Sequence, residues 1–169
     1  IGSNGLTSAR HDVLSKFYGE KFSESLDNSL NDEVVYIGKY KLTDQIEIKN
    51  QKSEIRNPTS EIGHLLLSPT RTFAPVLKEI LENHFDAVHG LIHCSGGGQT
   101  KCMKYMPGNF KVIKDNLFDP PVIFQLIQKA SKADDKEMYQ VFNMGTRMEI
   151  YTDEINANTL IGISKKFGV

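Results

Sequence analysis

Apolar residues spaced three or four positions apart predict that much of the chain is helical. Phe73, Val76 and Ile80, for example, would share one face of a helix. Asp134, with Glu137 three residues later, has the pattern of a capping box at the start of another helix. The predicted helices span residues 7–18, 59–67, 73–84, 120–130, 134–142 and 156–167, with a short one within 99–106.

Residues 87–94 form a continuous apolar run, which is typical of a strand covered on both faces. Shorter patterns predict strands at 34–37, 45–48, 110–113 and 147–152. Because helices alternate with strands, we predict an α/β or α+β fold built in layers. Residues 19–57 have too few apolar side chains for a core of their own, so we interpret them as a surface excursion within a single domain spanning 1–169.

The 169 residues carry 20 basic and 21 acidic side chains, a net charge of −1. This balance argues against a nucleic-acid-binding surface, which normally has a basic excess. The sequence contains neither an apolar run of roughly 20 residues, as a membrane span needs, nor a secretory signal pattern. The chain has no initiator Met, and both of its ends resemble interrupted elements. We therefore expect a cytoplasmic fragment, truncated at both ends, that binds neither nucleic acid nor membrane.

The two cysteines lack the spacing of a zinc site, and we predict no metal ligands in this chain. Cys94 lies in the apolar run, so we expect a buried thiol with a raised pKa. Cys102 lies between Lys101 and Lys104, whose positive charges would favour a thiolate. Cys102 is therefore expected to be the more reactive thiol, without a catalytic role.

Three loops carry the candidate chemistry. Ser95, Gly96, Gly97 and Gly98 follow the apolar run, and such a loop can turn several backbone N–H groups toward a phosphate, although a tight turn is the simpler interpretation. For the loop at 3–7 helix capping is the favoured interpretation, and in the loop at 142–145 a plain C-cap at Gly145 is an alternative to ligand binding. His93, beside the glycines, suits a hydrogen-bonded structural residue better than a base. From these patterns alone the function stays open.

Five ordered motifs carry a resemblance to a known family. They are Ser3-Asn4-Gly5, LLSPTRTF at 66–73, GLIHCSGGGQT at 90–100, DPPVIF at 119–124 and EMYQVFNMG at 137–145. In this order they resemble the C-terminal half of the aminoimidazole ribonucleotide synthetase family, also called phosphoribosylformylglycinamidine cyclo-ligases. The resemblance covers nearly the whole chain outside 19–57.

The resemblance implies a layered α/β/α domain around a mixed sheet, partly ferredoxin-like. It also implies part of an ATP-dependent enzyme that closes the imidazole ring of formylglycinamidine ribonucleotide, releasing ADP and phosphate. ATP and Mg²⁺ would bind mainly to an N-terminal domain outside this chain, and the enzyme would be a homodimer. The residues implied to face the ribonucleotide position it rather than transfer protons, and no catalytic residue is assigned. They are Ser3, Asn4, Gly5, Ser95, Gly96, Gly97, Gly98, Thr100, Asn143, Met144 and Gly145.

Some positions depart from the family pattern. Gln99 stands where the family has Leu, Lys101 begins an altered stretch, and Arg147 replaces a Gly. Two kinds of alternative remain. One is another ATP-using enzyme of the same superfamily, of the formylglycinamidine ribonucleotide synthetase, selenophosphate synthetase or thiamine-monophosphate kinase type. The other is a non-catalytic module that binds a phosphorylated ligand.

Overall fold

The computed structural model describes residues 4–27, 29–48 and 59–169. Its helices are α1 (Leu6–Ser8, continued by a π-helical turn over Ala9–Val13), α2 (Phe17–Lys21), α3 (Ile62–Leu67), α4 (Ala74–Asn83), α5 (Val122–Ser131), α6 (Asp135–Val141) and α7 (Glu154–Lys166). Short 3₁₀ segments cover Ser23–Ser25, Phe85–Ala87 and Gly98–Lys104. None of the helices in the described ranges has the length and apolarity that a membrane span requires.

The strands are β1 (Gln45–Glu47), β2 (Thr59–Glu61), β3 (Gly90–His93) and β4 (Met148–Tyr151). β1 pairs with β2 and β3 with β4, both antiparallel, with Leu91 opposite Ile150 in the second pair. The mixture of helices and strands confirms the predicted α/β or α+β class. Within the described residues the strands form two separate pairs, where the resemblance implied one mixed sheet.

The predicted helix 7–18 is interrupted in its middle. Leu14 is extended, and Ser15 N–H donates to Tyr40 O at 2.9 Å while Gly38 N–H donates to Leu14 O at 3.0 Å. The crossing is so close that a Cβ on Gly38 would lie 2.1 Å from Val13 O. A backbone pairing between distant segments therefore overrides the local helical pattern.

Two predicted strands are wrong. At 34–37, Tyr36 has φ +49°, which an extended strand does not permit. At 110–113, Phe110 and Ile113 are exposed, and the segment pairs with no strand of the described residues. No described element covers the Phe110 and Ile113 side chains, so their apolar spacing does not produce a strand.

Other predicted elements are shifted. The predicted helix 59–67 begins as strand β2, because Thr59–Glu61 pairs with Gln45–Glu47. The strand predicted at 87–94 starts only at Gly90, after a 3₁₀ turn. β3 is half-buried rather than covered on both faces, and within the described residues it pairs with β4 alone.

The core has two parts. The larger cluster joins the first helix, α3, α5 and α6, with Ile62, Ile127 and Met138 fully buried. Val35 and Tyr36, from the stretch interpreted as an excursion, are buried in the same cluster. The smaller cluster lies between α4 and α7 and consists of Val76, Ile80, Leu160 and Ile163.

Candidate functional site

Asn143 lies where the three predicted loops meet, and only 5% of it is exposed. Its backbone N–H donates to Asn4 Oδ1 at 2.8 Å, and its side-chain Nδ2 donates to Cys94 O at 3.3 Å. Asn4 Nδ2 also donates to Val141 O at 3.2 Å. One residue thus ties together the loop before α1, the loop after β3 and the turn after α6. We call this meeting point the Asn143 junction.

The turn after α6 is fixed by its own hydrogen bonds. Gly145 N–H donates to Asn143 Oδ1 at 3.0 Å, and Thr146 N–H donates to Asn143 O at 2.9 Å. Met144 and Gly145 both have positive φ, at +50° and +101°. A Cβ on Gly145 would also lie 2.9 Å from Pro121 Cδ. The polar groups of Asn143 are therefore occupied in shaping the junction, and Gly145 is required by both conformation and space.

The glycine loop has an inner and an outer side. Gly98 is buried with φ +49°, and a Cβ there would lie 2.4 Å from Phe142 O and 2.5 Å from Tyr139 O. Gly97 has φ +91°, while no described atom lies within 4 Å of a Cβ built on Gly96. Gly98 therefore packs against the backbone after α6, and Gly96 lies on the open side of the loop.

Lys101 and Thr100 hold the base of this loop. Lys101 Nζ donates to Ser95 Oγ at 2.6 Å and to His93 O at 3.0 Å. Thr100 Oγ1 donates to Gly97 O at 2.9 Å. The His93 imidazole is exposed and makes no hydrogen bond within the described ranges, so its expected structural role is wrong.

A largely buried ion pair lies behind the loop, and the sequence patterns did not predict it. Lys114 Nζ contacts Glu149 Oε1, and the two side chains are only 19% and 13% exposed. Lys114 Nζ also donates to Gln99 O at 2.7 Å and to Gln99 Oε1 at 3.2 Å. Gln99 Nε2 in turn donates to Asn143 O at 2.6 Å. The ion pair is therefore connected to the Asn143 junction through Gln99.

The only sequence signal for this pair was a carboxylate in a predicted strand. Glu149 lies on β4, opposite Ile92 of β3. β3 is the strand that directly precedes Cys94. Lys114 follows a segment predicted, wrongly, to be a strand, and nothing in its sequence neighbourhood indicates burial.

The same carboxylate shapes the chemistry of its neighbours. Cys94 Sγ lies 3.3 Å from Glu149 Oε1, and Tyr151 OH donates to Glu149 Oε2 at 2.6 Å. Burial, reinforced by the negative charge of Glu149, raises the pKa of the Cys94 thiol to about 12, as expected from the sequence in direction. Burial and the hydrogen bond to Glu149 also raise the pKa of Tyr151. Cys102 is 1% exposed, like Cys94, which contradicts the expectation of a selectively reactive Cys102.

A cavity of about 320 Å³ opens beside the junction, between the turn after α6 and the β2–α3 segment. Asn143, Gly145 and Arg147 line one side of it, and Ser60 and His64 line the other. We call it the Arg147 cavity. A larger cavity of about 880 Å³ lies against the β3–β4 pair, but none of the predicted site residues lines it.

The structure therefore brings together most of the residues that the resemblance implied. Asn4, Asn143 and Gly145 lie at the junction, with the loop from Ser95 to Thr100 directly beside it. Ser3 lies outside the described residues. Across residues 4–27, 29–48 and 59–169, no three His, Cys, Asp or Glu side chains are grouped so that they could hold a metal ion.

Several curated proteins that are similar to this chain share one name. The chain is 35% identical over 108 residues to the phosphoribosylformylglycinamidine cyclo-ligase of Methanocaldococcus jannaschii. The aligned region covers 64% of this chain and 31% of that protein. It is 36% identical over 98 residues to the enzyme of that name from Pseudothermotoga lettingae, covering 56% of this chain and 28% of the relative. The relative from Methanothermobacter thermautotrophicus is 37% identical over 102 residues, covering 60% and 29%.

These matches confirm the resemblance deduced from the five motifs. The chain spans about three tenths of the length of these curated relatives. No family model matches it.

Proposed function

We propose that this chain is one part of a phosphoribosylformylglycinamidine cyclo-ligase of purine biosynthesis. In the proposed reaction, ATP phosphorylates the amide oxygen of formylglycinamidine ribonucleotide and leaves as ADP. A nitrogen of the same molecule then attacks the activated carbon, the carbon–oxygen bond breaks, and phosphate leaves as the imidazole ring closes. The product is aminoimidazole ribonucleotide.

The observation that carries this proposal is the Asn143 junction. Three loops separated by more than 40 residues in sequence carry three of the five family motifs, and Asn143 joins them by direct hydrogen bonds. The proposed reaction is the one that the relatives' name describes. The Asn143 junction is the part of this chain that we propose faces the substrate.

The proposed contribution of the chain is positioning and electrostatic stabilisation. Because the polar groups of Asn143 are occupied by protein partners, its role is to hold the loops in place. Direct substrate contact is assigned to the open side of the glycine loop at Gly96, with Ser95 beside it. Such contact would use backbone N–H groups, which can approach an acceptor atom of the substrate closely only where no side chain intervenes.

ATP and its Mg²⁺ are proposed to bind mainly to a further, N-terminal domain of the same protein, acting in a cytoplasmic homodimer. The described residues contain no group of three or more His, Cys, Asp or Glu side chains that could hold Mg²⁺. Residues of this chain bind and orient the ribonucleotide.

The test is ATP-dependent phosphate release by the complete protein that contains this chain. Phosphate and aminoimidazole ribonucleotide should form in equal amounts only when formylglycinamidine ribonucleotide is present. Turnover of selenide, thiamine monophosphate or formylglycinamide ribonucleotide instead would identify another enzyme of the superfamily. Binding of the ribonucleotide without any phosphate release would indicate a non-catalytic module.

A matched pair of variants tests the role of the loop. Gly96→Val adds a side chain on the open side of the loop, where a Cβ meets no described atom within 4 Å, so the protein should fold and its KM for the ribonucleotide should rise at least tenfold. Gly108→Val is the control, because a Cβ there also meets no described atom and Gly108 lies outside the junction. Equal KM values for the two variants would refute the assignment of Gly96 to substrate contact.

A further inference from the structure

Among the residues that the structure describes, Arg147 is a cation without a counter-ion. The residue is half-buried, yet its guanidinium forms no ion pair and no side-chain hydrogen bond with any part of the chain that the structure describes. Its backbone is fixed, because Arg147 O accepts a hydrogen bond from Cys94 N–H at 2.8 Å. A guanidinium offers five donors in a planar fork that matches the oxygens of a phosphate.

The cavity that Arg147 lines is suited to an anion. No Asp or Glu of the described residues lines it, while Ser60 and His64 bring hydrogen-bonding groups to the side opposite Arg147. His64 Nε2 lies 3.9 Å from Glu61 Oε2, so that imidazole already has an acidic neighbour. Arg147 is therefore the cation in this cavity that remains available to a ligand.

Part of the remaining lining is apolar. Leu65, Ile123 and Phe124 form an apolar part of the wall of the cavity. In such surroundings the attraction between a guanidinium and an anion is stronger than in bulk water. The volume of about 320 Å³ is at the lower end of small-molecule sites, roughly 300–1,000 Å³. It would admit a phosphorylated sugar but not a whole nucleoside triphosphate.

We propose that Arg147 binds the phosphate monoester of a ribose 5-phosphate group held in the Arg147 cavity. The guanidinium contacts the phosphate oxygens, and the ribose lies against the apolar wall toward Phe124. The identification of this group as part of the substrate rests on the proposed function. The anion site itself rests only on the cavity and on the unpaired guanidinium.

The site can be tested by titrating the complete protein with ribose 5-phosphate and with ribose, using calorimetry. Wild type should bind ribose 5-phosphate and prefer it to ribose. Arg147→Gln should weaken binding of ribose 5-phosphate by about ten- to a hundredfold, as loss of a hydrogen-bonded charge contact predicts. It should also abolish the preference over ribose, which a merely structural role would not do.

The matched control is Lys136→Gln, which removes the same charge from an exposed position on α6. It should bind ribose 5-phosphate with wild-type affinity. An equal loss in this control, wild-type affinity in Arg147→Gln, or no binding by wild type would each overturn the proposal. Arg147→Lys keeps the charge but not the fork, and it replaces the Gln variant if that protein does not fold. Wild-type affinity in Arg147→Lys would likewise overturn it.

Activity separates this inference from the proposed function. If wild type closes the ring but Arg147→Gln keeps its KM for formylglycinamidine ribonucleotide, the phosphate assignment fails and the proposed function stands. If ribose 5-phosphate binds in an Arg147-dependent manner but no ring closure occurs, the proposed function fails and the anion site stands.

Discussion

At the scale of single residues, Gly98 is confined by backbone on two sides. Gly98→Ala would combine a φ of +49° with a Cβ 2.4 Å from Phe142 O, and neither constraint can relax without moving backbone. We expect the free energy of unfolding to fall by more than about 2 kcal/mol. Urea denaturation of the complete protein would measure this.

Gly96→Ala is the control for that experiment. Its Cβ meets no described atom within 4 Å, so its free energy of unfolding should stay within about 0.5 kcal/mol of wild type. Equal destabilisation by the two variants would show that the loop does not pack as described.

The thiol of Cys94 makes stability depend on alkaline pH. Its pKa rises from an ordinary 9.0 to about 12 in the folded chain, so above pH 9 the unfolded chain releases a proton that the folded chain keeps. Stability should therefore fall between pH 9 and about 12, by roughly 1 kcal/mol per pH unit from this group.

Denaturation of wild type and Cys94→Ala at pH 8 and pH 10.5 would check this effect. Tyr151, whose pKa is also raised, contributes a fall of the same sign in both proteins. Wild type should lose more stability between the two pH values than the variant. Parallel losses would mean that the thiol is not held neutral by burial.

At the scale of elements, the pair of Lys114 and Glu149 fastens the segment before α5 to strand β4. Removing one partner leaves the other charge largely buried without its ion pair. Glu149→Gln or Lys114→Gln should therefore each lower the free energy of unfolding by about 3 kcal/mol. Because the two changes remove the same contact, the double variant should cost less than their sum. Urea denaturation of the four proteins completes the cycle.

An exposed ion pair provides the comparison. Lys78 and Glu82 lie 3.8 Å apart on α4, with side chains 72% and 61% exposed. Lys78→Gln should leave the free energy of unfolding almost unchanged. Additive losses at Lys114 and Glu149, or a loss as small as that of Lys78→Gln, would contradict a buried, coupled pair.

Local patterns predicted the elements whose partners are near in sequence. Helices α4, α5, α6 and α7 lie within a few residues of their predicted bounds, and Asp134 accepts a hydrogen bond from Glu137 N–H at 2.7 Å as the capping pattern required. The incorrectly predicted elements are those whose structure depends on contacts with segments distant in sequence. Leu14 leaves its helix to pair with the segment around Tyr40, and its side chain is buried there.

The same division holds at the candidate site. Glycines and Asn143 could be singled out because their residue types and motif order carry information. Gln99, Lys114 and Glu149 could not, because their contacts join segments 15 to 44 residues apart. Only the fold shows that their charges and amides meet.

At the scale of the whole molecule, we predict that the 169-residue chain alone does not hydrolyse or transfer phosphate from ATP. The described residues contain no group of three or more His, Cys, Asp or Glu side chains that could hold the metal ion of a triphosphate. Phosphate release by the purified chain, with and without formylglycinamidine ribonucleotide, would measure this. The complete protein, assayed alongside, is the positive control, and ATP-dependent release by the chain alone would refute the prediction.

The division of the core into two clusters has a consequence for how the molecule exchanges hydrogen with solvent. The cluster between α4 and α7 has four buried residues, and helix α7 packs mainly on α4. This pair can separate while Ile62, Ile127 and Met138 remain packed in the larger cluster. In deuterated buffer, the amides of α4 and α7 should therefore take up deuterium together and earlier than those of α5. The chain would then behave as two cooperative units of unequal protection, with β3 and β4 at their boundary.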